Sequence, residues 1–347
     1  MSLQQIGADA RVRELFLQHG SEDLELGRVS FAAHEQYRIY FETGECDAAP
    51  AGRLRWSSAL PAVGDWVAAR RVDPAFALIE SVLPRRTQFS RRAPSNAVTE
   101  QVLAANIDLA VIVCGLDRDF NLRRLERYLV LARESGAEHA IVLNKADLCD
   151  ALDERIRQVN AIASGSRVLA IHALVDIEPV RDIARNRTVV FLGSSGAGKS
   201  TIVNGLLGES RQSTTEVRES DSRGRHTTTS RMLIPLPGGG AVIDSPGMRE
   251  LQLWAGEESL DEVFSDIAAL AALCRFADCT HSGEPACAVR AALDNGEIDL
   301  PRWSSYCKLQ KELQHELVQR DARAAADRKR EWKILHKAMR DHPKYRR

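Results

Sequence analysis

The sequence lacks long apolar runs. No stretch of its 347 residues approaches the roughly 20 consecutive apolar residues that a membrane-spanning helix needs. No apolar run near the first residue resembles a signal peptide. The hydrophobic fraction of 44% and the charged fraction of 27% are typical of folded proteins and exclude a disordered chain. We therefore expect a monomeric, cytoplasmic protein of two or three domains that has no membrane partner.

The chain also lacks an excess of either charge, since 47 Lys and Arg oppose 48 Asp and Glu. Attraction to nucleic acid must therefore come from local basic patches rather than from the whole molecule. Two such patches are visible in the sequence. They are Arg85, Arg86, Arg91 and Arg92, and the C-terminal tail at 328–347.

The chain has few cysteines, seven in all, and seven is an odd number. Since a cytoplasmic compartment is also reducing, we do not expect a disulfide framework. Three of the seven cluster with a histidine, as Cys274, Cys279, His281 and Cys287. Three thiolates and one imidazole leave no open position, so they suit one structural, tetrahedral Zn²⁺. The alternative is a set of buried free thiols, which is what we expect of the isolated cysteines. Those are Cys46, Cys114, Cys149 and Cys307.

The sequence pattern changes along the chain in a way that predicts a multidomain α/β protein. Residues 1–26 resemble an appended helix and linker with no assigned chemistry. Short alternating runs over 27–95 predict a small β-barrel or sandwich. Over 96–254, buried strands alternate with helices, which predicts a parallel sheet with its ligand at the strand carboxyl ends. The remainder, 255–347, is helical apart from the Cys/His segment.

A phosphate-binding loop is predicted where the sequence reads GSSGAGKS. It follows an apolar strand at 188–192 and precedes a helix at 201–207, which is the context that a P-loop requires. Lys199 should reach the β and γ phosphates and Ser200 should ligate Mg²⁺. A glycine-rich turn is the alternative. The predicted phosphate contacts are Gly193, Ser194, Ser195, Gly196, Ala197, Gly198, Lys199, Ser200 and Thr201.

A DSPG segment follows a second apolar strand, at 241–243. Its position downstream of a P-loop predicts that Asp244 lies on the metal side of the phosphates and that the N–H of Gly247 faces the γ-phosphate. An ordinary turn at the end of a strand is the alternative.

A guanine-reading motif, NKAD, ends the strand at 140–143. It consists of Asn144, Lys145, Ala146 and Asp147. A carboxylate at Asp147 can accept both the N1 and N2 protons of guanine, whereas adenine offers no matching pair of donors. The motif therefore predicts binding of GTP, and a polar turn with capping side chains is the alternative.

The order of these motifs is circularly permuted. In an ordinary GTPase the base motif follows the phosphate loop and the DxxG segment, but here it precedes both. Permutation is physically tolerable because domain termini are often close in space. The chain leaving the DSPG segment enters the C-terminal region directly, so we hypothesise that this region responds to nucleotide state.

Residues 209–231 contain few apolar residues and many Ser, Thr and Arg, and they include the segment GRHTTT. Thr228 is predicted to complete the Mg²⁺ coordination when GTP is bound. Met248 follows DSPG and cannot orient a water molecule, so His226 is the candidate, together with Lys199, for the catalytic machinery. A histidine that contacts phosphate or RNA is the alternative. No arginine finger is evident, so we expect slow hydrolysis that a partner stimulates.

Together these motifs resemble the circularly permuted, small ribosomal subunit-dependent GTPase family known as RsgA or YjeQ. The resemblance covers nearly the whole chain. It rests on PAVGDWV at 61–67, VLPRR at 82–86, QVLAANID at 101–108, NKAD, GSSGAGKST, GRHTTT, DSPG and the Cys/His string.

The resemblance implies an N-terminal OB-fold, a permuted GTPase core and a C-terminal zinc domain. It implies GTP hydrolysis stimulated by the small ribosomal subunit, binding through ribosomal RNA, late maturation of that subunit and release of an assembly factor. Its zinc ligands fall on Cys274, Cys279, His281 and Cys287, and its proposed catalytic histidine falls on His226.

The chain departs from that family at 170–176, where AIHALVD replaces the usual short Ser-Ala or Ser-x-x-Gly-rich segment that packs on guanine. The identity of the base therefore rests on Asp147. Two other functions remain open at this point. One is a P-loop ATPase or kinase with an appended domain, and the other is a non-catalytic RNA-binding adaptor. Intact Lys199, Ser200 and Asp244 argue against the adaptor.

Overall fold

A computed structural model describes residues 2–19, 23–33, 36–55, 60–92, 100–163, 165–208, 231–244 and 256–319. Four sequence-based predictions lie outside these residues. They concern His226, Thr228, Gly247 and the basic tail at 328–347. Among the described residues, no helix is both long and apolar enough to cross a membrane.

Five strands between residues 25 and 82 close into a β-barrel. With two helices, the elements in chain order are α1 Ala10–His19, β1 Glu25–Ala33, β2 Gln36–Phe41, β3 Gly44–Pro50, α2 Gly52–Arg55, β4 Trp66–Asp73 and β5 Phe76–Val82. The order is β1-β2-β3-β5-β4, β4 pairs back onto β1, and β3 and β5 are parallel. Burial alternates along β2, which points Tyr37, Ile39 and Phe41 inward. The expected OB-type barrel is confirmed, and a sandwich is excluded.

A six-stranded α/β layer follows the barrel. A ribbon of β6 Gln88–Arg92 and β7 Glu100–Ala105 leads into it. Its elements are β8 Leu109–Gly115, α3 Leu122–Glu134, β9 Glu138–Asn144, α4 Leu152–Ile162, β10 Arg167–Ala170, α5 Glu178–Ala184, β11 Thr188–Leu192, α6 Lys199–Leu207, β12 Arg231–Pro235 and β13 Ala241–Asp244. The order is β10-β9-β8-β11-β13-β12, and β12 is the antiparallel member. The parallel strands therefore end at one edge, as the alternating pattern predicted.

The C-terminal region is helical. Its helices are α7 Glu257–Val263, α8 Ser265–Ala271, α9 Ala288–Asp294 and α10, described over 300–319. The region packs against α3 through α7, and two ion pairs tie α10 to α3. One of them, Arg302 with Glu126, is buried. Helix α3 is therefore shared between the α/β core and the C-terminal region.

The barrel and the α/β core form one continuous sheet of 11 strands. The junction is an antiparallel pairing of β1 with β12, in which Phe31 faces Met232 and Ala32 faces Arg231. The guanidinium of Arg231 also donates a hydrogen bond to the carbonyl of Val102 in β7. The barrel is thus hydrogen-bonded to the strand that begins where the 209–230 segment ends.

The N-terminal residues 2–8, which we call the N-terminal clamp, join the barrel to the core. Leu3, Ile6 and Ala8 are buried in a cluster with Trp66 and Leu83. The Gln5 carbonyl accepts a hydrogen bond of 2.7 Å from Gly240, in the β12–β13 hairpin. The fully buried guanidinium of Arg28 donates to the carbonyls of Ile6, Gly64 and Asn106. Burial lowers the pKa of Arg28 to about 9, so the group remains charged at neutral pH.

We expect Ile6→Ala to lower the free energy of unfolding by about 2–5 kcal/mol, because Ile6 is 1% exposed and its removal leaves a cavity in the clamp. Leu17→Ala is the matched control. Leu17 is 80% exposed, so this change should cost less than about 0.5 kcal/mol. Urea denaturation of the two variants measures both values, and equal losses would show that the clamp does not stabilise the fold.

Candidate active site and metal centre

The P-loop lies between β11 and α6, at the carboxyl edge of the sheet. Two of its glycines are required by close approach as well as by conformation. Gly193 has φ of 141°, and a Cβ there would lie 2.2 Å from the Val113 carbonyl. Gly198 has φ of 99°, and a Cβ there would lie 2.1 Å from the Asn144 amide nitrogen. Any side chain at either position would push the loop away from its neighbouring strands.

Lys199 begins α6 and folds back over the loop. Its ammonium donates to the carbonyl of Gly193 at 2.7 Å and to that of Ser194. Ser200 and Thr201 follow in the first turn of the helix, whose free N–H groups favour an anion. The loop can therefore present a cation and backbone donors to a phosphate group.

Asn144 joins three segments of the site. It is 4% exposed, and its amide donates a hydrogen bond of 3.0 Å to the Ala197 carbonyl of the P-loop. Its side-chain oxygen accepts one of 3.1 Å from the N–H of Ala173. The N–H of Ala146 in turn bonds the Ile171 carbonyl at 3.1 Å. The 170–176 segment, although unusual in sequence, is thereby fixed beside the base motif.

Asp147 lies on the turn after Asn144, with its side chain 39% exposed. Its carboxylate is 3.7 Å from the Nε2 atom of His172. Leu174 and Val175, two and three residues after His172, are 79% and 78% exposed. An accessible carboxylate can accept hydrogen bonds from the edge of a flat base, and the segment that follows His172 offers exposed apolar side chains.

Asp244 is the last residue of β13, the neighbour of the P-loop strand β11. It is therefore at the same edge of the sheet as the P-loop. The rest of the DSPG segment and the GRHTTT segment are outside the described residues.

The sequence-based interpretation missed two carboxylates in the loop at 116–121, between β8 and α3. Asp117 accepts a 2.6 Å hydrogen bond from the Lys145 ammonium, and Asp119 accepts one from the Ser194 hydroxyl. The sequence did contain a pattern that could have identified them, since both aspartates lie within four residues of the end of a fully buried strand of the same sheet. What they contact could not be read from the sequence.

The sequence placed Arg85 in a basic patch, but in the structure its side chain is mostly buried and already paired, so its membership of that patch is corrected. Arg85 makes an ion pair of 2.7 Å with Asp65, which is fully buried. Burial raises the pKa of Asp65, and the hydrogen bonds and charge of Arg85 oppose that rise. Arg86 pairs with Asp108. Arg85 thus ties the segment after β5 to the turn before β4, and Arg86 ties the same segment to the residue before β8.

The predicted metal ligands come together in the C-terminal region. The ligand atoms of Cys274, Cys279, His281 and Cys287 all lie within 4.8 Å of one another. The Cys274 and Cys287 sulfurs are 3.9 Å apart, and His281 Nδ1 is 3.6 Å and 3.4 Å from them. A Zn²⁺ ion bound at about 2.3 Å from each sulfur would place two sulfurs roughly 3.8 Å apart. The cluster is therefore compatible with one tetrahedral zinc ion.

These features define a class of protein: a circularly permuted GTPase with an OB-type barrel before the core and a Cys₃His cluster after it. Residues 82–254 match the RsgA GTPase family. The chain belongs to that family. The predicted family, fold class and GTP-hydrolysing activity are confirmed.

Curated relatives match along almost the entire chain. The small ribosomal subunit biogenesis GTPase RsgA of Opitutus terrae is 45% identical and covers 98% of this chain and 97% of that protein. The protein of the same name from Syntrophotalea carbinolica is 41% identical, and the match covers 96% of each. Among solved structures, YjeQ from Thermotoga maritima has a TM-score of 0.63 and 27% identity over 84% of this chain and 98% of that one.

Proposed function

We propose that this chain hydrolyses GTP on the small ribosomal subunit and acts in the late maturation of that subunit by binding its RNA. The relatives named small ribosomal subunit biogenesis GTPase support the choice of partner, because they align with both flanking domains as well as with the core. The observation that carries the proposal is the pair of hydrogen bonds made by the Asn144 side chain. They join the P-loop to the NKAD motif and its neighbouring segment, within the part of the chain that aligns with these relatives.

The nucleotide would bind as GTP with Mg²⁺. The P-loop would hold its phosphates, Lys199 would neutralise the β and γ phosphates, and Ser200 and Asp244 would lie on the metal side. Asp147 would read the base. The metal would supply charge neutralisation at the transferring phosphoryl group. The roles of Thr228 and Gly247 remain predictions from sequence.

His226 is the proposed water-positioning residue, because Met248 cannot perform that task. His226→Ala should slow single-turnover GTP hydrolysis and leave GDP affinity unchanged, since its role begins with the attacking water. Unchanged single-turnover hydrolysis in this variant would remove His226 from the mechanism.

The Cys₃His cluster would hold one structural Zn²⁺, and its ligands would then link the segment after α8 to the start of α9. We expect Cys279→Ser to lose the metal and to lower the thermal stability of the C-terminal region, because a zinc site contributes directly to folding. Cys307→Ser is the matched control, since Cys307 lies on α10 and is not among the four clustered ligands. Elemental analysis should find one zinc per chain in wild type and in Cys307→Ser. Zinc retained by Cys279→Ser would contradict the assignment.

The partner would be the small subunit and its ribosomal RNA, together with assembly factors bound there, met by a monomer in the cytoplasm. Cosedimentation tests this directly. The protein should pellet with small subunits in the presence of a non-hydrolysable GTP analogue and much less with GDP. Equal pelleting with large subunits would contradict a specific role. Competition of ATP with GTP for a fluorescent nucleotide would instead favour a P-loop ATPase.

A further inference from the structure

The loop at 116–121 lies between the two halves of the nucleotide site. It begins where β8 ends, and there Gly115 is in register with Asn144 of the base motif. The N–H of Leu116 donates a hydrogen bond of 2.8 Å to the Asn144 carbonyl. The loop ends at Asn121, whose side chain accepts from the N–H of Arg124 and caps α3. Both ends of this short loop are therefore fixed.

Asp119, in the loop between β8 and α3, bonds to a residue of the P-loop. Its carboxylate accepts a hydrogen bond from the hydroxyl of Ser194, which is 75 residues away in sequence. The guanidinium of Arg124, on α3, lies 2.5 Å from the same carboxylate and also donates to the Asp119 carbonyl. The three residues form a chain of contacts from α3 to the P-loop.

Asp117 holds the base motif in a similar way. It accepts the Lys145 ammonium at 2.6 Å, and its other oxygen accepts the N–H of Asp119 at 3.0 Å. Partial burial would raise the pKa of Asp117, but the hydrogen bonds from Lys145 and Asp119 outweigh it and lower the pKa. Asp117 is therefore anionic at neutral pH, and it is bonded to the segment that holds Ser194.

We propose that Asp119 and Asp117 are positioning residues for the GTPase reaction, the first acting through Ser194 on the P-loop and the second through Lys145 on the base motif. The inference rests on the proposed placement of GTP at these two motifs. Neither carboxylate is itself required to touch the nucleotide.

Asp119 is expected to matter because its hydrogen bond to Ser194 restricts the conformational freedom of the P-loop. The P-loop has three glycines with positive φ, at 193, 196 and 198, so a free loop would lose much entropy when it closes on phosphate. A side-chain bond at Ser194 removes part of that cost before the nucleotide arrives. Arg124 is needed as well, because an unneutralised carboxylate beside the loop would repel phosphate.

Asp117 is expected to matter because the Lys145 ammonium, if released, would compete with guanine for the carboxylate of Asp147. Lys145 is two residues from Asp147, so an ammonium released from Asp117 could pair with the carboxylate that must accept the guanine protons. By holding Lys145, Asp117 keeps Asp147 available to the base.

The two roles predict different nucleotide preferences. Asp119→Ala and Ser194→Ala each remove the bond between these side chains, so each should weaken GDP binding by roughly tenfold, and the double variant should be no weaker than either single one. Because these changes act on the phosphate side, the ratio of GDP to IDP affinity should stay at the wild-type value. Asp117→Asn should lower that ratio, because IDP lacks the N2 amino group that Asp147 reads.

Calorimetric titration with GDP and IDP tests the proposal, with Asp153→Asn, an exposed aspartate of α4, as the control that changes neither affinity. Ser194→Thr retains the hydroxyl and should restore the binding that Ser194→Ala loses, which separates positioning from a general loss of fold. Additive losses in the double variant, or an equal change of the ratio in Asp117→Asn and Asp119→Ala, would overturn the proposal. Wild-type protein that binds ADP as tightly as GDP would instead overturn the nucleotide assignment itself.

Discussion

Replacing Asp147 with Asn should transfer the nucleotide preference of the protein from GTP to XTP. Guanine presents two donors to this position, the N1 and N2 protons, and a carboxylate accepts both. Xanthine has a carbonyl in place of the N2 amino group, so it needs one donor and one acceptor. A side-chain amide supplies that pair, whereas a carboxylate would face the carbonyl with no proton between them.

The effect should be large, because a site that leaves buried or oriented polar groups unpaired discriminates by about 10⁴-fold. Measurement of kcat/KM for GTP and XTP in wild type and Asp147→Asn gives the ratio directly. Asp150→Asn, on an exposed position three residues farther along, is the matched control and should leave the preference for GTP in place. If Asp147→Asn still uses GTP at a rate close to that of wild type, Asp147 does not read the base.

Arg302→Ala should lower the free energy of unfolding by about 3–5 kcal/mol, because it removes a guanidinium that pairs with two carboxylates, one of them the fully buried Glu126, and leaves that carboxylate with Arg123 alone of its two cations. Arg302 lies on α10 and donates to Glu126 of α3 at 2.9 Å and to Asp266 of α8 at 2.6 Å. Glu126 is fully buried. Burial raises the pKa of the Glu126 carboxyl, and the guanidinium groups of Arg123 and Arg302 oppose that rise.

Arg290→Ala is the matched control for Arg302→Ala. Arg290 pairs with Asp294 at 3.9 Å, and both side chains are more than half exposed, so its loss should cost less than about 1 kcal/mol. The double variant Glu126→Gln/Arg302→Met should recover most of the stability, since it removes the buried charge together with one of its two partners, and the other, Arg123, is partly exposed to solvent. Thermal and urea unfolding measure all three. A loss in Arg302→Ala no greater than that in Arg290→Ala would show that the pair does not hold the C-terminal region to α3.

The motifs could be predicted because their chemistry depends on spacing along the chain. A P-loop needs its glycines, Lys199 and Ser200 at fixed intervals after a buried strand, and the sequence contains that pattern. The cysteine and histidine ligands also lie within one short segment, so their convergence could be expected. The alternation of apolar residues in β2 and the continuous apolar run of β8 likewise identified the strands.

The junctions between domains could not be predicted, because their partners are far apart in sequence. Glu126 and Arg302 are separated by 176 residues, and Arg28 bonds the carbonyl of Asn106, 78 residues away. Arg85 illustrates the resulting error. In sequence it belongs to a basic cluster that suggests an RNA contact, whereas in the fold it neutralises the buried Asp65. The sequence around a residue shows which side chains are charged, but it does not show which oppositely charged side chains they contact in the fold.

The most direct test of the central claim is phosphate release from GTP by the purified protein, with and without small ribosomal subunits. Hydrolysis should be slow for the protein alone and faster by at least about tenfold with small subunits, because the described site supplies phosphate and base contacts but no arginine finger was evident in the sequence. Large subunits should have no effect, and Lys199→Ala should abolish the stimulated rate. Equal rates with and without small subunits, or hydrolysis of ATP as fast as that of GTP, would contradict this account.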